Sequence, residues 1–172
     1  MWFLFFALIV ALNWSGPPAF ARDSYFSTRL GISLSTVQET LGKVAGPVTF
    51  TPRPGSKQGT QEARLAGNVG IVQAGGDPGN LTTVVLWVAV DAHGKLVGAD
   101  ARPYLNAVVQ LFTADSEPIL IWVDQVLSRA IAESKGSPHL EASLFAGHQF
   151  KATYMPNLSP PMLSLAVTIA NE

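Results

Sequence analysis

The residues most able to do chemistry are three histidines, because imidazole serves both metals and proton transfer. His93, His139 and His148 stand far apart, with no HxxxH or HExxH spacing, so the sequence offers no preformed pair of metal ligands. There is no cysteine, which removes disulfides, thiolate nucleophiles, Cys-zinc sites and lipidation of an N-terminal Cys. Neither a GxSxG elbow nor an SxxK motif occurs. No pair of carboxylates stands out for glycosidase-type acid–base work. Gly75-Gly76-Asp77-Pro78-Gly79 follows an apolar run, as a phosphate loop would. The residues after it read as another strand, whereas a phosphate cradle needs a helix N-terminus whose amides meet the anion. The residues therefore predict no catalytic group, no metal and no cofactor. A hydrolase would need Ser, His and Asp to converge from distant positions, and nothing in the spacing favours that.

What remains is a surface. Leu81 to Val90 reads as a strand, and alternation sends Val84, Leu86, Val88 and Val90 to one side. Thr83, Val85, Trp87 and Ala89 then take the other side. With them would lie Arg64, Asn68, Lys151, Thr153, Ser164, Ala166 and Thr168, a small semi-polar set around one large aromatic. Tryptophan offers much apolar area at little entropic cost and often anchors a partner. The candidate binding residues are therefore Trp87, Arg64, Lys151, Thr83, Ser164 and Thr168. A second reading stays open, in which Trp87 packs beneath the Pro52–Thr60 loop or the N-terminal arm.

Positioning such a face requires a sheet with helices on its other side. The chain has 172 residues, enough for one domain, and 48% are hydrophobic, enough for a core. A net charge of −1 leaves no electrostatic footprint for nucleic acid. Trp2 to Leu12 is an apolar run of eleven residues, well short of the about 20 that span a bilayer. Ala19-Phe20-Ala21 places small residues where a signal peptidase reads, although no Lys or Arg precedes the apolar run. The expected organisation is a signal peptide over 1–21, an N-terminal arm over 22–30 and a single domain over 31–172. The mature protein would be exported, periplasmic or secreted, with no stable membrane span. The competing expectation is an uncleaved N-terminal anchor.

Within the domain, Ser33 is expected to cap a helix carrying Leu34, Val37 and Leu41, with Ser35 and Gln38 as an alternative capping box and Gly42 as its stop. Strands are expected at Val48–Thr51, Ala63–Gln73 and Leu81–Val90, with Ala74–Asn80 as linker. Helices follow over Tyr104–Ala114 and from Ser116-Glu117-Pro118 to Lys135-Gly136. A last hairpin pairs His148–Met155 with Met162–Ile169. The fold class is α+β, order α-β-β-β-α-α-β-β, with an antiparallel sheet of four or five strands and helices on one face. Leu65, Val69, Ile71, Val84, Leu86, Val88, Val90, Leu163, Leu165, Val167 and Ile169 form the expected sheet half of the core.

Gly31-Ile32-Ser33-x-x-x-Val37-x-x-x-Leu41-Gly42 resembles the opening helix of SmpA/OmlA-type envelope domains, which are related in fold to β-lactamase inhibitor proteins. That family's pattern has Met and Thr where this chain has Ile32 and Ser33, and its proline comes earlier than Pro47. The match covers residues 31–42. The whole order looks more like bacterial periplasmic domains with helices over a saddle-shaped sheet. Either resemblance implies a non-catalytic envelope protein that binds a macromolecule or a small ligand, and neither supplies site residues. The functional expectation is an exported interaction protein using the open sheet face and the proline-rich loops, with an envelope protein as partner. The alternative is a carrier holding a small apolar ligand between sheet and helices.

Overall fold

The computed structural model describes residues 29–56, 59–91, 93–133 and 136–170. The expected signal peptide, most of the arm and Lys135 lie outside the described residues. Among the described residues the fold is α+β, with three α-helices and one seven-stranded antiparallel sheet. The elements are α1 (Leu34–Ala45), β1 (Thr51–Pro52), β2 (Gln61–Arg64), β3 (Gly70–Asp77), β4 (Asn80–Ala89), α2 (Ala101–Gln110), α3 (Glu117–Glu133), β5 (His139–Phe145), β6 (His148–Met155) and β7 (Met162–Ile169). Across the sheet the strands run β1-β2-β3-β4-β7-β6-β5. No described helix is long and apolar enough to cross a membrane.

Seven strands replace the expected four or five, and two local features add the extra strands. The run Ala63–Gln73 is two strands, because Gly67 (φ +68°) and Asn68 (φ +54°) take left-handed backbone that glycine and asparagine tolerate best, and the chain folds back there. β5 was not expected at all. β1 is the stub, at Thr51–Pro52, of the strand expected over Val48–Thr51. The glycine linker is also shorter than expected: β3 runs to Asp77, and only Pro78 and Gly79 separate it from β4. A bulge falls between Gly75 and Gly76, where Gly76 has φ +103° and a Cβ would stand 2.8 Å from the Thr82 amide nitrogen.

The helices form where apolar spacing asks for them, with corrected ends. Ser33 caps α1 by accepting the Thr36 N–H at 3.2 Å. The Ser35–Gln38 box does not form, since the Gln38 side chain donates instead to the Val48 carbonyl. Gly42 is inside the helix, and the stop is Gly46, at φ +103°. α2 starts earlier and ends sooner than expected, leaving Phe112 just beyond it to pack edge-on against Phe150. The Ser116 hydroxyl does not cap α3 but bonds the Asn106 side chain across to α2.

One sheet face meets the helices. Val72, Val84, Leu86, Val88, Phe150, Ala152, Leu163, Leu165 and Val167 are all at most 1% exposed. Trp122 of α3 touches Phe145 of β5, and Arg102 of α2 grips Asp124 of α3 with both guanidinium nitrogens. Two expected core residues depart. Ile71 points to the reverse face, because the turn at 66–68 resets the alternation, so that Val72 and Ala74 face inward. Ile169 is only half-buried, at the end of β7.

Candidate functional site

The reverse face is assembled by register. One row across the sheet reads Leu140, Thr153, Ser164, Trp87, Ile71, Arg64 from β5 to β2. The next reads Ala142, Lys151, Ala166, Val85, Gln73, Glu62. A third reads Leu144, Gln149, Thr168, Thr83, Gly75. The six candidates Trp87, Arg64, Lys151, Thr83, Ser164 and Thr168 therefore all lie on one face. Asn68 sits instead in the turn beside it. Strand parity alone brings these residues together: each is an odd step from a core residue on its own strand.

Most side chains in these rows are half-buried or exposed, in contrast to the helix side. Ser164 is the exception at 5% exposure, a small residue between Trp87 and Thr153. Trp87 is half-buried between its cross-strand neighbours Ile71 and Ser164. Its indole N–H donates to Gln73 Oε1 at 3.3 Å, Gln73 Nε2 donates to Glu62 Oε2 at 2.8 Å, and Arg53 Nε lies 3.9 Å from that same oxygen. This chain of polar contacts links β4, β3, β2 and the end of β1, and it fixes the indole plane. Gln73 and Glu62 were not among the expected site residues, because only the strand register reveals them. Arg64 and Lys151 have no ion-pair partner among the described residues. Beside Trp87 a shallow groove of about 310 Å³ is lined by Glu62, Arg64, Asn68, Gly70, Ile71 and Met162.

The three histidines do not converge. His93 lies in the Asp91–Lys95 turn, where backbone N–H groups of Lys95 and His93 hold the Asp91 carboxyl below its usual range. His148 packs against Phe112. His139 bonds Glu141 Oε1 at 2.9 Å. Arg129 grips the same carboxylate through two nitrogens, at 2.9 and 2.6 Å, and together with His139 holds its pKa down to about 2. Among the described residues no three His, Asp or Glu side chains cluster as metal ligands. No family model, curated protein or solved structure matches this chain.

Proposed function

We propose that this chain is an exported, non-catalytic interaction protein that docks an envelope protein on the reverse face of its sheet. The carrying observation is the composition of that face. Ile71, Val85, Trp87 and Met162 form an apolar centre. Around it stand Thr, Ser and Gln side chains and the two cations Arg64 and Lys151, which is the layout of a docking surface with an apolar middle and a polar rim. Those cations suit a partner that frames an apolar segment with carboxylates. The resemblance of residues 31–42 to envelope domains points the same way. The Trp87 side chain is already half-buried, so its role is that of a rigid platform and not of a free knob.

The test is capture from envelope extract by the purified protein. Val85→Arg and Thr168→Arg place bulk and charge on the face without touching the core, and Glu39→Arg on exposed α1 is the control. One stoichiometric partner retained by the control and lost from both face variants supports the reading. Retention by all three sinks it. The carrier alternative has one foothold, the fully buried Tyr104 hydroxyl, which has no hydrogen-bond partner among the described residues and could receive a ligand's polar end. Mass spectrometry of an organic extract of the protein checks that alternative; an empty extract removes it. The grooves along the outer side of α3, beside Trp87 and between α1 and Pro47-Val48 all open at the surface, and of the buried core residues only Val48 lines one of them.

A further inference from the structure

The sheet has two edges, and they are built differently. β1 is a two-residue stub containing Pro52, which blunts that edge. β5 is seven residues long and carries no proline, lysine or arginine. Such an edge is an open template for another strand. It also holds the two most exposed large apolar side chains of the described residues, Leu140 at 61% and Leu144 at 63%.

The hairpin fixes which backbone groups are free. β5 and β6 are joined by Ala146 (φ +50°) and Gly147 (φ +78°), a two-residue turn of the primed kind. Phe145 and His148 close it as a pair that exchanges both hydrogen bonds, so residues 139, 141, 143 and 145 aim their N–H and C=O groups at β6. Leu140, Ala142 and Leu144 aim theirs outward. Among the described residues nothing bonds to them. The free backbone groups and the exposed leucines thus belong to the same residues.

The segment Leu140-Glu141-Ala142-Ser143-Leu144 reads alike in both directions about Ala142 in its apolar positions. We propose that β5 pairs antiparallel with β5 of a second copy about a two-fold axis at Ala142. In that register Leu140 meets the mate's Leu144 on the reverse face, and Ala142 meets itself. On the helix side Glu141 lies opposite Ser143, so no like charges meet, and its carboxylate is already held by Arg129 and His139. An isologous interface needs this self-complementarity. α3 lies over the same strand through Arg129 and Trp122, and its outer surface adds Ile121, 49% exposed, to the joint.

The absence of cysteine makes a direct test possible. In the proposed register the two Ala142 Cα atoms are about 5.5 Å apart, as in any doubly hydrogen-bonded antiparallel pair, and disulfides form across about 4.4–6.8 Å. Ala142→Cys, as the chain's single thiol, is oxidised with a mild oxidant and run on a non-reducing gel, with Glu39→Cys as control. Sedimentation equilibrium of the wild type is read alongside Ala142→Pro and Leu144→Lys. Proline at 142 removes only an outward N–H, a position where edge strands tolerate it, and lysine at 144 changes only an exposed side chain. The expected result is a dimeric wild type, rapid crosslinking at 142 alone, and folded monomers for both other variants. A monomeric wild type at tens-of-micromolar concentration overturns the proposal, as does a dimer that persists in folded Leu144→Lys.

Discussion

Two neighbouring residues on β7 test whether the faces of the sheet differ as described. Leu165 points at the helices with 1% exposure and lies between Leu86 and Ala152, both fully buried. With close-packed neighbours on both sides, the cavity left by Leu165→Ala can collapse only in part. Such truncations cost about 2–5 kcal/mol, and a mid-range loss of about 3 kcal/mol is expected here. For a domain of this size each kcal/mol moves the melting temperature by roughly 2–4 °C. Leu165→Ala should therefore melt roughly 6–12 °C below the wild type. Ala166 is one residue further, on the reverse face, between Lys151 and Val85. Ala166→Glu sets a carboxylate directly across from Lys151, a cross-strand pair worth about 0.2–1 kcal/mol, and leaves the helix-side core as it is. Its melting temperature should stay within about 3 °C of the wild type, in either direction. Thermal unfolding followed by far-UV circular dichroism reads both. Equal, large losses at 165 and 166 would mean that the reverse face is covered and closed to a partner. No loss at 165 would mean that the strand parity is wrong.

Gly70 probes how β3 and β4 close beneath the tryptophan. A Cβ there would overlap the Trp87 carbonyl oxygen and reach 3.0 Å from its carbon, and backbone cannot step aside as a side chain can. Gly70→Ala should cost about 3 kcal/mol, the upper end of the usual overpacking range, and alter tryptophan fluorescence; a wild-type melt and spectrum would refute this account of the close approach. The Arg129–Glu141–His139 cluster predicts a pH dependence. The folded pKa of Glu141 lies at about 2, below its ordinary 4.5, so its contribution is present above that ordinary value and fades as pH falls towards 2. The pair is partly exposed, so Glu141→Gln should cost at most about 1 kcal/mol near neutrality, and the gap between the two proteins should vanish near pH 2. A gap that widens on acidification has the opposite sign and would exclude the mechanism.

The legible parts of this fold are those where one face of a strand is uniformly apolar. β6 and β7 begin and end where the alternation of Phe150, Ala152 and Tyr154, and of Leu163 to Ile169, says they do. Trp87 could be placed on the reverse face for the same reason, from the parity of Val84, Leu86 and Val88. Two kinds of information were not local. The Trp87–Gln73–Glu62 contacts depend on how β4, β3 and β2 are registered, and a single strand does not encode its partner's offset. The break at Gly67-Asn68 was hidden because Leu65 and Val69 on either side of it are both buried, so the apolar pattern runs through the turn unbroken.

β5 was illegible for a more instructive reason. Its pattern is inverted: His139, Glu141 and Ser143 face the helices, while Leu140 and Leu144 face out. A core strand at a sheet edge could bury leucines under α3 and leave polar residues outside, and that arrangement would have been read at once. Here the inward carboxylate is stabilised by Arg129 and His139, which lets a charged residue lie under a helix at modest cost. Leucines turned outward on a strand with free backbone groups are a hazard for a solitary domain, and edges are normally protected by lysine or proline. β1, at the opposite edge, has that protection in Pro52, so the fold is not indifferent to exposed edges. The asymmetry between the two edges is what a sheet completed by a second copy at β5 requires. It is also what an isolated sheet of this size would be expected to avoid.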